Sequence, residues 1–83
     1  MYRARLHKIE SLRSDEPVFV CEGCFHTMPE AGSRFFMYLE SDEKRYIHTS
    51  EVRSVRVGQD NEHIIQTENS TYVLSYISKQ GVI

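Results

Sequence analysis

The stretch 64-IIQTENSTYVLSYI-77 decides the fold. Two runs rich in β-branched and aromatic residues flank Glu68-Asn69-Ser70-Thr71, a cluster of short polar side chains. That pattern reads as a β-hairpin. Asn tolerates positive φ, and Ser and Thr hydroxyls bond nearby backbone groups, so the cluster has turn chemistry. Tyr72, Leu74 and Tyr76 then share one face of the closing strand. The polar run is longer than a minimal hairpin needs. It is therefore a candidate for ligand contact as well as a turn.

The same period of two runs outward from this hairpin. Tyr2, Ala4 and Leu6 face one way and Arg3, Arg5 and His7 the other, as in a half-buried strand. In the first twelve residues Leu6, Ile9 and Leu12 also have helical spacing. Ser14-Asp15-Glu16-Pro17 reads as a break. The run 18-VFVCEGCF-25 is β-like, with Gly23 placed for a bulge. A loop, 26-HTMPEAGS-33, follows. The run 34-RFFMYLE-40 is apolar on both faces, which predicts a strand deep in the sheet. Ser41-Asp42-Glu43-Lys44 reads as a polar turn, 45-RYIH-48 as a short strand and Thr49-Ser50-Glu51 as a tight turn. Val55 and Val57 mark the inner face of the next strand, and 58-GQDNE-62 is a turn. Short strands at this spacing predict an all-β domain: a small SH3-like or OB-like barrel of five to seven short antiparallel strands.

The chain has 83 residues, which makes residues 1–83 a single domain. A domain this short buries only roughly 60% of the surface its unfolded chain exposes. Exposed strand edges in so small a sheet predict a homo-oligomer. The formal net charge of −2 argues against a duplex-DNA binder, which carries a basic excess. No segment reaches the length of an apolar membrane span, and MYRARLHKIE has no signal-peptide core. The expected location is cytoplasmic, and no membrane partner is expected.

Four groups of residues carry candidate chemistry. The first is 21-CEGCFH-26. Cys21, Cys24 and His26 are ligand types for zinc, but a closed site needs four ligands, and a strand points residues three apart to opposite faces. The plain reading is two small side chains in a strand, so no metal and no cofactor are expected. The second group pairs 48-HTSE-51 with 67-TENST-71. His48, Thr49, Ser50, Thr67, Asn69 and Ser70 offer short donors and acceptors suited to a phosphate or polar ligand, with Tyr46 and Tyr72 as stacking faces. The plain reading is two turns.

The third group is basic: Arg3, Arg5, Arg53 and Arg56. If the first strand pairs with 53-RSVR-56, their guanidinium groups form a stripe that reads phosphates. Against this stands a solvated face neutralised by Glu10, Glu51 and Glu62. The fourth is the loop 26–34, where Phe25, Met28 and Arg34 are candidate contacts for a protein partner. There is no nucleophile elbow, no phosphate-cradling glycine loop and no paired metal ligands on a helix. Catalysis is not expected.

The motifs 49-TSEV-52 and 67-TENSTYVL-74 resemble those of small uncharacterised β-barrel proteins of bacterial and phage genomes. In these a Thr-Ser-x-Val turn precedes a strand and a Thr-x-Asn-Ser-x-Tyr hairpin closes the barrel. The resemblance covers about residues 46–77. It implies a compact β fold and an accessory role, such as an oligomeric sponge for signalling nucleotides or an inhibitor that masks a host protein. No residue role carries over from it. The expected function is binding of a phosphate-bearing small ligand such as a nucleotide. The alternatives are a protein-interaction module working through the 26–34 loop and a strand edge, and single-stranded nucleic-acid binding on the sheet face.

Overall fold

The computed structural model describes residues 2–12, 18–39, 42–59 and 61–79. It shows six strands: β1 (Tyr2–Ser11), β2 (Phe19–Phe25), β3 (Arg34–Leu39), β4 (Asp42–Val57), β5 (Glu62–Thr67) and β6 (Ser70–Lys79). They follow one another around a closed antiparallel barrel, and β1 closes it against β6. The all-β barrel expected from the period-two pattern is present. No described segment is helical, and no described helix is long and apolar enough to cross a membrane. The helical spacing of Leu6, Ile9 and Leu12 is overridden. Residues 2–11 are a strand, and Ile9 and Leu12 lie exposed.

The core is the sum of the inward phases. Ala4 and Leu6 come from β1, Phe25 from β2, Phe35 and Met37 from β3, Val52 from β4, Ile65 from β5, and Tyr72 and Leu74 from β6. Aromatic rings fill one end. Phe25 stacks on Tyr2 with centroids 5.3 Å apart and meets Phe35 edge-on at 5.1 Å. Phe25, expected as a partner contact, is therefore a core residue, 1% exposed. Its strand phase aims it inward with Phe19, Cys21 and Gly23.

Gly23 is not at a bulge. The β1–β2 register runs unbroken from Tyr2↔Phe25 to Lys8↔Phe19. Gly23 is needed for another reason: a Cβ there would lie 2.0 Å from the Tyr38 carbonyl oxygen. Among the described residues, β2 pairs with β3 at Gly23↔Leu39 and Cys24↔Tyr38 alone. Residues Phe19–Glu22 pair with β1 and have no ladder partner among the described residues of β3.

β4 departs most from expectation. Thr49-Ser50-Glu51 is not a turn, because the strand runs unbroken from Asp42 to Val57. Asp42–Lys44, expected as part of a turn, belong to the same strand, while Ser41 lies outside the described residues, as do Ser14–Pro17. Up to Glu51, β4 pairs with β3; from Val52 onward it pairs with β5. Register shifts on both sides of this switch bend the strand. The extra residue on the β5 side is Arg53, since Val52↔Thr67 is followed by Ser54↔Gln66. The bulge resets the alternation. Val52 becomes a core residue, Val55 packs against the core as expected, and Val57, expected inside on the same phase but at the strand end, is 80% exposed.

The turn at 58–62 is present. The Gly58 N–H bonds the Glu62 carbonyl, the Glu62 N–H bonds the Gln59 carbonyl, and Asn61 takes φ 59°. In the loop after β2, Gly32 has φ 95°, and its N–H donates to the Val52 carbonyl. That bond ties the loop to the bend of β4.

Candidate functional site

The β5–β6 hairpin turns on two residues, Glu68 and Asn69, inside the pair Gln66↔Thr71. The longer polar run is explained by what lies beneath the turn. Thr67 and Ser70 are buried, 5% and 7% exposed. The Thr67 hydroxyl is the hub. Its Oγ1 accepts from the N–H groups of Ser70 (3.1 Å) and Asn69 (3.3 Å) and from the Ser50 hydroxyl (2.8 Å), and it donates to the Ser70 carbonyl. The Asn69 N–H also reaches the Ser50 Oγ at 3.4 Å. The Ser50–Thr67 bond joins the two polar clusters that the sequence sets 17 residues apart.

Thr49 works from the other side of β4. It is 2% exposed. Its Oγ1 accepts the Phe35 N–H at 3.1 Å and donates to the Ser50 carbonyl at 2.7 Å. That N–H belongs to the stretch where the β3–β4 register slips, so a side chain replaces a ladder bond. Thr49 and Thr67 are thus a frame rather than contact residues.

On this frame opens a cleft of about 430 Å³. Its walls include His48, Ser50, Asn69, Ser70 and Tyr72, all expected as ligand contacts, together with Tyr46. Lys8, Phe19 and Arg45 join them. Lys8 continues the inward phase of Ala4 and Leu6 and is 6% exposed. Its ammonium lies 5.8 Å from the centroid of the Phe19 ring. The signal for Lys8 is visible in the sequence: a cation on the apolar phase of a strand has its charge set into the barrel mouth. Among the described residues lining the cleft there are two fixed cations and no carboxylate. Such a lining favours an anion.

Arg53 and Arg56 do not line the cleft. Arg53 is tied to Glu68 at 3.0 Å and to Glu51 at 3.4 Å, and Arg56 is exposed on β4. The expected arginine stripe does not form either, because β1 pairs with β2 and β6 rather than with β4. Arg5 is held instead by Glu22 at 3.0 Å, and Arg3 approaches the same carboxylate at 3.7 Å.

Cys21 and Cys24 lie three apart on a regular strand, on opposite faces, with Cys21 against the core. Burial pushes the Cys21 thiol up from its ordinary pKa. Both cysteines are free, and the described residues hold no cluster of metal-ligand type. His26 sits instead at the edge of the Tyr38 ring.

Met28 and Arg34 line a second cleft of about 360 Å³ with His26, Phe35, Phe36 and Tyr38. Phe36 and Tyr38 overturn the expectation that 34–40 is buried on both faces. They are 51% and 47% exposed. The inward phase of β3 carries Phe35 and Met37, so the outward phase faces solvent.

Comparison with protein-family models, with curated proteins and with solved structures finds no match.

Proposed function

We propose that the chain is a non-enzymatic binding protein whose cleft takes a phosphate-bearing small ligand, a nucleotide. The observation that carries this reading is the lining itself: Lys8 and Arg45 beside Ser50, Asn69 and Ser70, with Phe19, Tyr46 and Tyr72 as ring surfaces. Cations and short hydroxyl and amide donors suit phosphate oxygens. Rings close by suit a base. The same lining contains no carboxylate, among the described residues, to act as a general base. Binding without turnover is the simplest use of such a set.

The reading includes a homo-oligomer. Phe19 lines the cleft, and Phe19–Glu22 have no ladder partner among the described residues of β3. A second copy pairing along that edge satisfies the backbone groups and deepens a shallow site. Free thiols fit a reducing, cytoplasmic setting. A sequestering role is what the resemblance to small phage proteins implies for such an assembly.

Native mass spectrometry with added nucleoside mono- and diphosphates tests this reading. The expected spectrum shows a multimer carrying one nucleotide per copy. Lys8→Met and Asn69→Ala are expected to lower occupancy at least tenfold, whereas Arg53→Ala, outside the cleft, retains it. Equal occupancy in Lys8→Met and the parent protein would remove the cleft as the site. A bare monomer at every ligand concentration would remove the reading altogether.

A further inference from the structure

The outward face of the β3–β4 ribbon carries four rings in a grid. Cross-strand register sets Phe36 opposite His48 and Tyr38 opposite Tyr46. Phe36 and His48 stack with centroids 5.8 Å apart and planes 25° from parallel. Phe36–Tyr46, Tyr46–His48 and Tyr38–Tyr46 separations are 6.0, 6.0 and 6.2 Å. Single exposed rings are ordinary on a protein surface, but a contiguous group marks an interaction site. Tyr46 is 54% exposed, and Phe36 and Tyr38 are close to half exposed. The fold does not need these rings, because its core is made by the opposite phase of the same strands.

Charge decides among the occupants. Arg34 shares the outer phase of β3 with Phe36 and Tyr38, and its Nη1 lies 3.3 Å from the His48 Nδ1. Arg45 adjoins Tyr46 on the cleft side. Among the described residues neither arginine has a carboxylate partner, whereas Arg3, Arg5 and Arg53 are all neutralised. One acid, Glu30, lines the flanking second cleft. A second copy laid face to face on this surface would bury two sets of Arg34 and Arg45 with no carboxylate partner for them among the described residues. An apolar protein partner would bury tyrosine hydroxyls and a guanidinium group without matching them. A polyanion with flat apolar bases matches both features.

We infer that this face is a stacking platform for single-stranded nucleic acid. Bases lie on Phe36, Tyr38 and Tyr46, and backbone phosphates lie against Arg34 and Arg45. Stacking of this kind tolerates any base, because every base has a π-face. A duplex hides its base faces and is not a ligand. The platform shares Arg45, Tyr46 and His48 with the nucleotide cleft, but Arg34, Phe36 and Tyr38 lie outside that cleft, so the two readings can fail separately.

The test is fluorescence anisotropy of a labelled ten-residue oligothymidylate on the full chain, with sedimentation velocity on the same samples. Saturable binding is expected, with a log–log salt slope of roughly −1.4 for two neutralised phosphates. Phe36→Ala and Tyr38→Ala are each expected to lower affinity about tenfold or more. Their melting temperatures stay unchanged, since both side chains are already half exposed. Arg34→Gln weakens binding and flattens the salt slope. Lys8→Met retains oligothymidylate binding, whereas Phe36→Ala retains nucleotide in the cleft. Absence of an anisotropy change, or equal affinity in Phe36→Ala, would overturn the inference. So would a parent dimer that Phe36→Ala dissociates, which would make the face a contact between copies.

Discussion

Gly23→Ala is expected to destabilise the protein by about 3 kcal/mol. An added Cβ meets the Tyr38 carbonyl oxygen at 2.0 Å, a backbone atom that no rotamer change can move. Two opposing terms have to be weighed. Alanine restricts the unfolded chain and stabilises by about 0.4–1 kcal/mol where its backbone fits. Overpacking against a fixed neighbour costs about 3 kcal/mol or more, so the clash wins. The clash falls where the described residues of β2 and β3 pair, at Gly23↔Leu39 and Cys24↔Tyr38. In a domain of this size a loss of ~3 kcal/mol lowers the melting temperature by about 15 °C. Gly58→Ala is the control. Its added Cβ meets the Glu62 side chain at an ordinary 3.4 Å, and it is expected to change stability by less than about 0.5 kcal/mol. A Gly23→Ala variant that melts with the parent would show that β2 and β3 do not approach so closely at this point.

Thr67→Val is the second large effect. The two side chains have nearly the same shape, so the substitution removes a hydroxyl and little else. That hydroxyl accepts the Ser70 N–H and the Ser50 hydroxyl and donates to the Ser70 carbonyl. The Asn69 N–H keeps its longer bond to the Ser50 Oγ, but the buried Ser70 N–H loses the side-chain acceptor it has here. Each buried group left without a partner costs about 1–3 kcal/mol, so a total of ~3 kcal/mol is expected. The variant also releases Ser50, Asn69 and Ser70 from their common frame, and nucleotide occupancy should fall with stability. Thr67→Ser keeps the hydroxyl and loses only a methyl group. It is expected to cost about 1 kcal/mol and to retain the ligand. Chemical denaturation of the three proteins checks this directly. Equal midpoints for the Val and Ser variants would show that the hydroxyl is not the hub.

Much of the fold was legible because a strand with one buried face advertises it. The alternation of Ala4 and Leu6 with Arg3 and Arg5, and of Tyr72 and Leu74 with Val73, is the barrel wall seen edge-on. Turn chemistry marked 58–62 and 67–70 for the same local reasons that hold them now. What failed was wherever a side chain did a job its type does not announce. Thr49 has the composition of a turn, yet it is a buried bond within a long strand. Phe36 and Tyr38 are apolar enough to read as core, yet only one phase of β3 reaches the interior. One extra residue, Arg53, turns Val52 inward although simple alternation with Val55 sets it outward, and no local pattern reports a bulge.

The candidate site was half legible. His48, Ser50, Asn69, Ser70 and Tyr72 meet in one cleft, because Ser50 and Thr67 bond across two strands. The arginines selected with them do not, since charge alone says nothing about which strands are neighbours. Lys8 was missed although its phase was in view. The alternation of Ala4 and Leu6 continues into a lysine, and a lysine on that phase is set into the barrel mouth.

An amide-resolved NMR titration of the ¹⁵N-labelled protein with a nucleoside monophosphate asks whether the cleft receives the phosphate. The expected result is saturable shifts at Lys8, Ser50, Asn69 and Ser70, absent in Lys8→Met. Shifts confined to residues 26–34, or none at all, would contradict it.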